Sequence, residues 1–149
     1  MSGLRVGGVL TIMLAATTPV LADQIAPAGH VKIVTGTAFI VRQNVTLPAR
    51  PGEPVFATDA LRTGVDGTVG ITLRDDTRLS LGPSSEVRLE RYVYAPGEGG
   101  FGMVLKFMSG VATYVSGRMA KLAPDSIRLE TPAAIVGVRG TTIAVRIEP

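Results

Sequence analysis

The chain has 149 residues, of which 46% are hydrophobic and 18% charged, so it is long enough for one folded domain and too apolar for a disordered segment. Its formal net charge is only +3, and lysine and arginine occur singly along it, which argues against a nucleic-acid partner. The sequence has no cysteine, which excludes disulfides and thiol catalysis and removes the commonest zinc ligands.

The first 22 residues have the pattern of a secretory signal peptide. Arg5 supplies a positive charge, and the uncharged apolar run after it is shorter than the roughly 20 residues of a membrane-spanning helix. We expect cleavage after Ala22, a periplasmic or secreted protein, and one domain over 23–149 with no membrane span. An uncleaved anchor is the alternative.

Short strands are predicted from His30 onward. The stretch HVKIVTGTAFIVR contains two β-branched runs separated by Gly36, which indicates either a bent strand or a tight hairpin. Prolines at positions 48, 51 and 54 then exclude a helix and a central strand. This second segment is predicted to be an edge strand or a loop.

Three strands with one apolar face each follow between positions 69 and 89. Turn sequences, DDT and GPSS, separate them, and loops this short require neighbouring strands to pair or stack. A meander, a sandwich and a small β-solenoid all fit this spacing. The alternating apolar residues are Val69, Ile71 and Leu73, then Leu79 and Leu81, then Val87 and Leu89.

The last third of the chain adds more strand patterns and one short helical one. MVLKFMSGVATYVSG contains two strand-like runs broken at Ser109 and Gly110, and Pro124 limits RMAKLAPDS to a turn or two of helix. The predicted class is all-β. We expect a small sandwich, or a short β-solenoid or roll, built of short alternating strands with at most one short helical turn.

The glycine-rich stretch GEGGFGMV, residues 97–104, matches the phosphate-loop pattern of kinases and the start of the dinucleotide fingerprint. A dinucleotide loop opens a helix, whereas a strand-like run follows here. The sequence also contains neither His-Arg-Asp nor Asp-Phe-Gly, the other kinase motifs. We interpret the stretch as a hairpin loop.

No catalytic or metal-binding set is predicted. Asp75 and Asp76 are adjacent, so in an extended chain their side chains point in opposite directions, and both suit a tight turn. His30 is the sole histidine and lies at the start of the first strand, where exposure is expected. We therefore expect no enzyme activity, no cofactor and no metal.

One loop combines basic and aromatic residues, which stack on sugars or on protein partners. It is the best candidate for a binding surface, although strand tyrosines more often pack in a core. The candidate partner-binding residues are Arg91, Tyr92, Tyr94 and Phe101.

The stretch TPAAIVGVRGT at Thr131–Thr141 matches the closing motif of a known family and is its most specific landmark here. With the other landmarks below, the chain resembles the FecR domain over roughly residues 29–145. Asp76 and Glu53 depart from the family pattern, in a turn and a loop. The other landmarks are Gly29 with Val31, Asp59–Gly64, Asp75–Thr77 and Leu79–Ser84.

The closing stretch is interpreted as a strand that completes the fold rather than as a ligand loop. Arg139 is predicted to pair with a carboxylate such as Glu130 or Asp125, with a contact to a partner protein as the alternative. The motif residues expected to be structural are Thr131, Pro132, Gly137, Arg139, Gly140 and Thr141.

The resemblance implies a non-catalytic envelope protein. The family's namesake relays a signal from an outer-membrane transporter to a cytoplasmic sigma factor through an anti-sigma segment and a membrane span. Neither precedes the domain in this sequence, so we expect a stand-alone exported FecR-domain protein whose partner is another envelope protein. The alternative is a module that binds envelope glycan or peptidoglycan through the same loop.

Overall fold

The computed structural model describes residues 25–137 and 142–148, together with residues 3, 7, 8 and 12. The rest of the predicted leader, and the motif residues Arg139, Gly140 and Thr141, lie outside the described residues. Within the part described, no helix is both long enough and apolar enough to cross a membrane.

The described chain is almost entirely β-structure, as the alternating pattern predicted. The helix α1, Arg118–Leu122, is five residues long, and 3-10 turns cover Pro96–Glu98 and Pro124–Ser126. The strands are β1 (Gly29–Thr35), β2 (Ala38–Arg42), β3 (Val45–Pro48), β4 (Pro54–Val55), β5 (Ala60–Thr63), β6 (Thr68–Leu73), β7 (Arg78–Leu81), β8 (Glu86–Ala95), β9 (Gly100–Val115), β10 (Ile127–Glu130), β11 (Ile135–Gly137) and β12 (Thr142–Ile147).

The strands form one curled, mostly antiparallel sheet with the form of a half-barrel, and β9 belongs to both of its halves. Sheet I has the order β4-β1-β6-β7-β9-β12, and sheet II has the order β3-β2-β5-β8-β9-β10-β11. Residues 100–109 of β9 pair with β8, whereas residues 112–115 pair with β7. The β9–β10 pair is parallel.

The chain bends at Gly36 instead of forming a hairpin there. β1 pairs with β4 and β6, while β2 pairs with β3 and β5, so the two β-branched runs enter different halves of the sheet. Gly36 has a φ of 65°, which glycine adopts without strain. Of the two alternatives that the sequence left open, the bent strand is the one observed.

β9 bends at Gly110, the point where the sequence predicted a break. The strand continues through this residue, but its neighbours change from those of sheet II to those of sheet I. Gly110 has a φ of 80°, and a Cβ there would lie 2.6 Å from the carbonyl oxygen of Ser84 and closer still to the Ser85 hydroxyl. A single strand thus passes from one half of the sheet to the other.

Four such passages lie side by side and form what we call the corner seam: residues 36–37, 64–67, 82–85 and 109–111. Backbone hydrogen bonds join neighbouring passages: the Gly64 N–H donates to Thr37 (2.9 Å), the Ser84 N–H to Gly64 (2.9 Å), and the Gly82 N–H to Val111 (2.8 Å). The Ser85 hydroxyl adds a side-chain link by accepting the Val111 N–H at 2.8 Å. The seam fixes where the sheet folds over its own core.

The predicted apolar faces of β6, β7 and β8 all point into that core. Their seven alternating residues from Val69 to Leu89 are each at least 96% buried. The segment with three prolines supplies the outermost strands on one side of each half, β3 with Pro48 and β4 with Pro54. Proline has no N–H to donate, so an edge position suits it.

Gly110→Ala should destabilise the fold by more than about 2 kcal/mol, because the methyl group would clash with Ser84 and Ser85 and the positive φ disfavours alanine. Gly97→Ala is the matched control, since nothing lies within 4 Å of its Cβ position. Urea denaturation of both variants measures the difference. Equal midpoints for the two variants would contradict the role of the corner.

Candidate functional site

The predicted aromatic loop is the hairpin that joins β8 to β9. Tyr94 and Phe101 are directly opposite each other on the two strands, with ring centroids 6.2 Å apart and ring planes inclined by 58°. Both side chains are half-buried. The GEGGFGMV stretch supplies the loop between them and the start of β9, which confirms that it forms a hairpin.

The other two candidate residues separate at a bulge in β8. The register between β8 and β9 shifts between Leu89 and Arg91, so Arg91 points outward and is exposed. Tyr92 turns inward and is only 7% exposed. The structure therefore places Tyr92 in the core, which was the alternative for a strand tyrosine, and leaves Arg91 exposed. Tyr94 and Phe101 are partly buried and pack against the edge of that core.

A shallow hollow lies beside Phe101. The end of α1 and the 3-10 turn after it form its other wall, including Leu122 and Pro124. Leu122 is 57% exposed although it is apolar. Tyr94, Phe101, Leu122 and Pro124 are called the hairpin patch below. Arg91 lies on the other face of the β8–β9 pair, where its guanidinium covers Gly102.

The hairpin patch depends on a buried carboxylate that positions α1. Asp75 is fully buried, and its side chain accepts hydrogen bonds from the Tyr92 hydroxyl (2.9 Å), the Thr77 hydroxyl (2.7 Å) and N–H (3.3 Å), and the Met119 N–H (3.2 Å). Its carbonyl oxygen also accepts the Arg118 N–H at 2.7 Å. Charged acceptors form the stronger class of hydrogen bonds, so Asp75 joins the β6–β7 turn, β8 and α1.

Asp76 is a different kind of residue from its neighbour. Its φ is 67°, its side chain is exposed, and it forms a surface ion pair with Arg118 at 3.1 Å. The prediction of a tight turn is right for both aspartates. Asp75 is in addition a buried hydrogen-bonding centre, which the prediction of a turn did not include.

A second buried carboxylate, Asp59, lies at the start of β5. Arg42 binds it through two nitrogens, with distances of 2.8 and 3.0 Å, and the Phe56 N–H donates to it at 2.9 Å. The hydrogen bond to Asp59 raises the pKa of the Arg42 guanidinium. This guanidinium also lies 4.7 Å from the centroid of the Phe56 ring. The pair joins β2 to the segment between β4 and β5.

Two tyrosines are buried near Asp75. Burial raises the pKa of the Tyr92 phenol well above its usual range, and the negative charge of Asp75 acts in the same direction. Burial is likewise the main cause that raises the pKa of Tyr114. Both phenols therefore stay protonated where an exposed tyrosine would ionise.

The remaining candidates give no catalytic arrangement in the part of the chain that is described. His30 is exposed near the start of β1, as expected from its position. Over the same residues, no group of three or more His, Cys, Asp or Glu side chains could hold a metal ion.

A family model described as FecR protein matches residues 59–149. The chain belongs to the FecR family. No curated protein and no solved structure matches it. The match begins at Asp59, so residues 29–58, which the resemblance had included, lie outside it. Those residues nevertheless supply β1 and β2, which pair with strands of the matched FecR segment.

The FecR landmarks fall on structural positions. Asp59 receives the Arg42 ion pair, Thr63 donates its hydroxyl proton to the Gly82 carbonyl (2.7 Å) at the corner seam, and Asp75 with Thr77 forms the buried centre. The closing motif begins with a turn and not with a strand: the Thr131 hydroxyl accepts the Ala134 N–H at 3.0 Å. β11 begins directly after this turn. Pro132 lies in this turn and not at a strand edge.

Asp75→Asn should lower the free energy of unfolding by more than about 2 kcal/mol, because in either orientation the amide NH2 would face a backbone N–H, that of Thr77 or that of Met119, which now donates to the carboxylate. Asp76→Asn is the matched control. Its surface ion pair contributes less than about 1 kcal/mol, and asparagine tolerates the positive φ. Chemical denaturation measures the free energy of unfolding of both variants. Similar decreases in the two would refute the distinction between a structural Asp75 and a surface Asp76.

The stability of the fold should fall as pH rises above about 10, because the unfolded chain releases phenol protons that Tyr92 and Tyr114 retain when folded. Below that pH the contribution is fully present. The free energy of unfolding should fall less steeply with pH in Tyr92→Phe, by the equivalent of about one proton, or ~1.4 kcal/mol per pH unit. Denaturation across the alkaline range measures it, with Phe101→Leu as a control without a phenol. An unchanged slope in Tyr92→Phe would contradict the assignment.

Proposed function

We propose that this FecR-family protein is a non-catalytic, exported module that binds another envelope protein through the hairpin patch. The observation that carries the proposal is the pair of partly buried rings, Tyr94 and Phe101, beside the exposed Leu122. Aromatic residues are enriched at the centres of protein interfaces.

The charged outer face of sheet II is a weaker candidate. A groove there is lined by residues such as Arg62, Glu86, Arg88 and Glu90. Arg62 pairs with Glu86 at 3.1 Å, and Arg88 with Glu90 at 3.6 Å. These side chains already form ion pairs with each other and are hydrated. A ligand would have to break both ion pairs and displace that water, so the face has the character of a solvated surface.

Strand pairing and hydrogen bonds hold both sides of the hairpin patch in place. Its two rings lie on paired strands, and Asp75 fixes α1 through Met119 and Arg118. A rigid surface loses little conformational entropy on binding, which favours specific recognition. The proposed periplasmic location places this surface where it meets other envelope proteins.

A benzophenone amino acid at position 101 should cross-link to one envelope protein upon irradiation in cells. The matched control is position 33, where Ile33 is 64% exposed on β1, away from the hairpin patch. Adding Tyr94→Ser to the first variant should reduce the adduct at least several-fold. The same adducts from both positions, or none from position 101, would overturn the proposal.

Sedimentation with purified peptidoglycan distinguishes a protein partner from the alternative, a glycan ligand. If the partner is a protein, the chain should stay in the supernatant. Co-sedimentation that is lost in a Tyr94→Ser and Phe101→Ser double variant would instead assign the hairpin patch to a glycan. That result would refute the protein-partner proposal.

A further inference from the structure

The outer strands of the sheet differ in how well they resist pairing with another chain. In the described part of the chain, β3 ends in Pro48, β4 contains two residues of which one is Pro54, and β11 is three residues long. Short strands and prolines are the usual devices that prevent edge-to-edge association. β12 is six residues long and contains neither proline nor glycine.

One side of β12 is incompletely covered. Ile143, Val145 and Ile147 pack against the core but remain partly exposed, while the alternate residues Ala144 and Arg146 face solvent. β12 pairs with β9, and no second strand pairs with residues 143–147 among those that the structure describes. A strand added here would both extend the ladder and cover the aliphatic side chains.

The sequence of β12 is complementary to itself in one antiparallel register. A two-fold axis through Val145, perpendicular to the sheet, places the inward-facing side chains of both copies on the same face of the joined sheet. In this register Ile143 lies opposite Ile147 of the other copy, and Val145 lies opposite its own copy. Arg146 then lies opposite Ala144. An axis through Ala144 would pair Ile143 with Val145 and leave Ile147 opposite no aliphatic residue of β12. An axis through Arg146 would place the two Arg146 side chains, which carry the same charge, opposite each other.

We propose that two copies of this protein associate through β12, in an antiparallel pairing centred on Val145, so that sheet I continues from one copy into the other. The occupant is a second copy because this register pairs every inward aliphatic side chain of β12 with another one. The inference does not depend on the hairpin patch, which is formed by β8, β9 and α1 and not by β12.

Analytical ultracentrifugation of the purified protein, from micromolar to millimolar concentration, tests the association. We expect a monomer–dimer equilibrium that Val145→Lys weakens at least tenfold, because two ammonium groups would lie opposite each other. Phe101→Ser should leave it unchanged. Thermal denaturation confirms that both variants fold. A monomer at every concentration would overturn the proposal.

Cysteine substitution reads the register directly, since the natural chain has no cysteine. Directly opposite residues have Cα atoms about 4.5–5.5 Å apart, within disulfide reach. Val145→Cys alone should therefore oxidise to a covalent dimer. Ile143→Cys alone should not, because its two copies would lie about 13 Å apart along the strands.

Mixing Ile143→Cys with Ile147→Cys should restore cross-linking, since these positions are opposite in the proposed register. This result depends on geometry and not on stability, so it also stands if Val145→Lys folds poorly. A dimer that cross-links at none of these positions, or a foreign strand captured at Val145→Cys in place of a second copy, would refute the assignment.

Discussion

The fold depends on one strand that serves both halves of the sheet. The first part of β9 pairs with β8 and β10, and its second part pairs with β7 and β12. This is feasible only because the backbone at Gly110 turns through a left-handed conformation against Ser85. The hydrogen bonds of the corner seam then align three further passages with the same bend. Core closure and strand order both follow from this arrangement.

The proposed binding surface is a consequence of the same architecture at the opposite end of β8. The bulge near Arg91 reverses which side chains point inward, so Tyr92 enters the core and meets Asp75. Asp75 in turn holds the first residues of α1, whose end borders Phe101. A buried carboxylate therefore positions an exposed apolar patch, although its own side chain is far from solvent.

Much of the fold was predictable because local patterns agree with it. Alternation identified β6, β7 and β8, and the prolines identified the edges. The pairing of Arg42 with Asp59 was not predictable, since 17 residues separate them. Asp75 did carry a signal: the buried odd-numbered positions continue from Leu73 through Asp75 and Thr77 to Leu79. The bulge that buries Tyr92 changes that alternation at Glu90 and Arg91, two successive polar residues between apolar ones.

The shared strand also determines how the domain would carry a mechanical load. Tension along β12 acts parallel to its ladder with β9, so its six residue pairs resist in shear together and do not open one after another. β9 spreads that load to β7, β8 and β10. Tension applied across the sheet at β3 would instead meet a ladder of four residue pairs that opens sequentially. The ladder of β12 with β9 therefore resists tension along the strands better than the ladder of β3 with β2 resists tension across them.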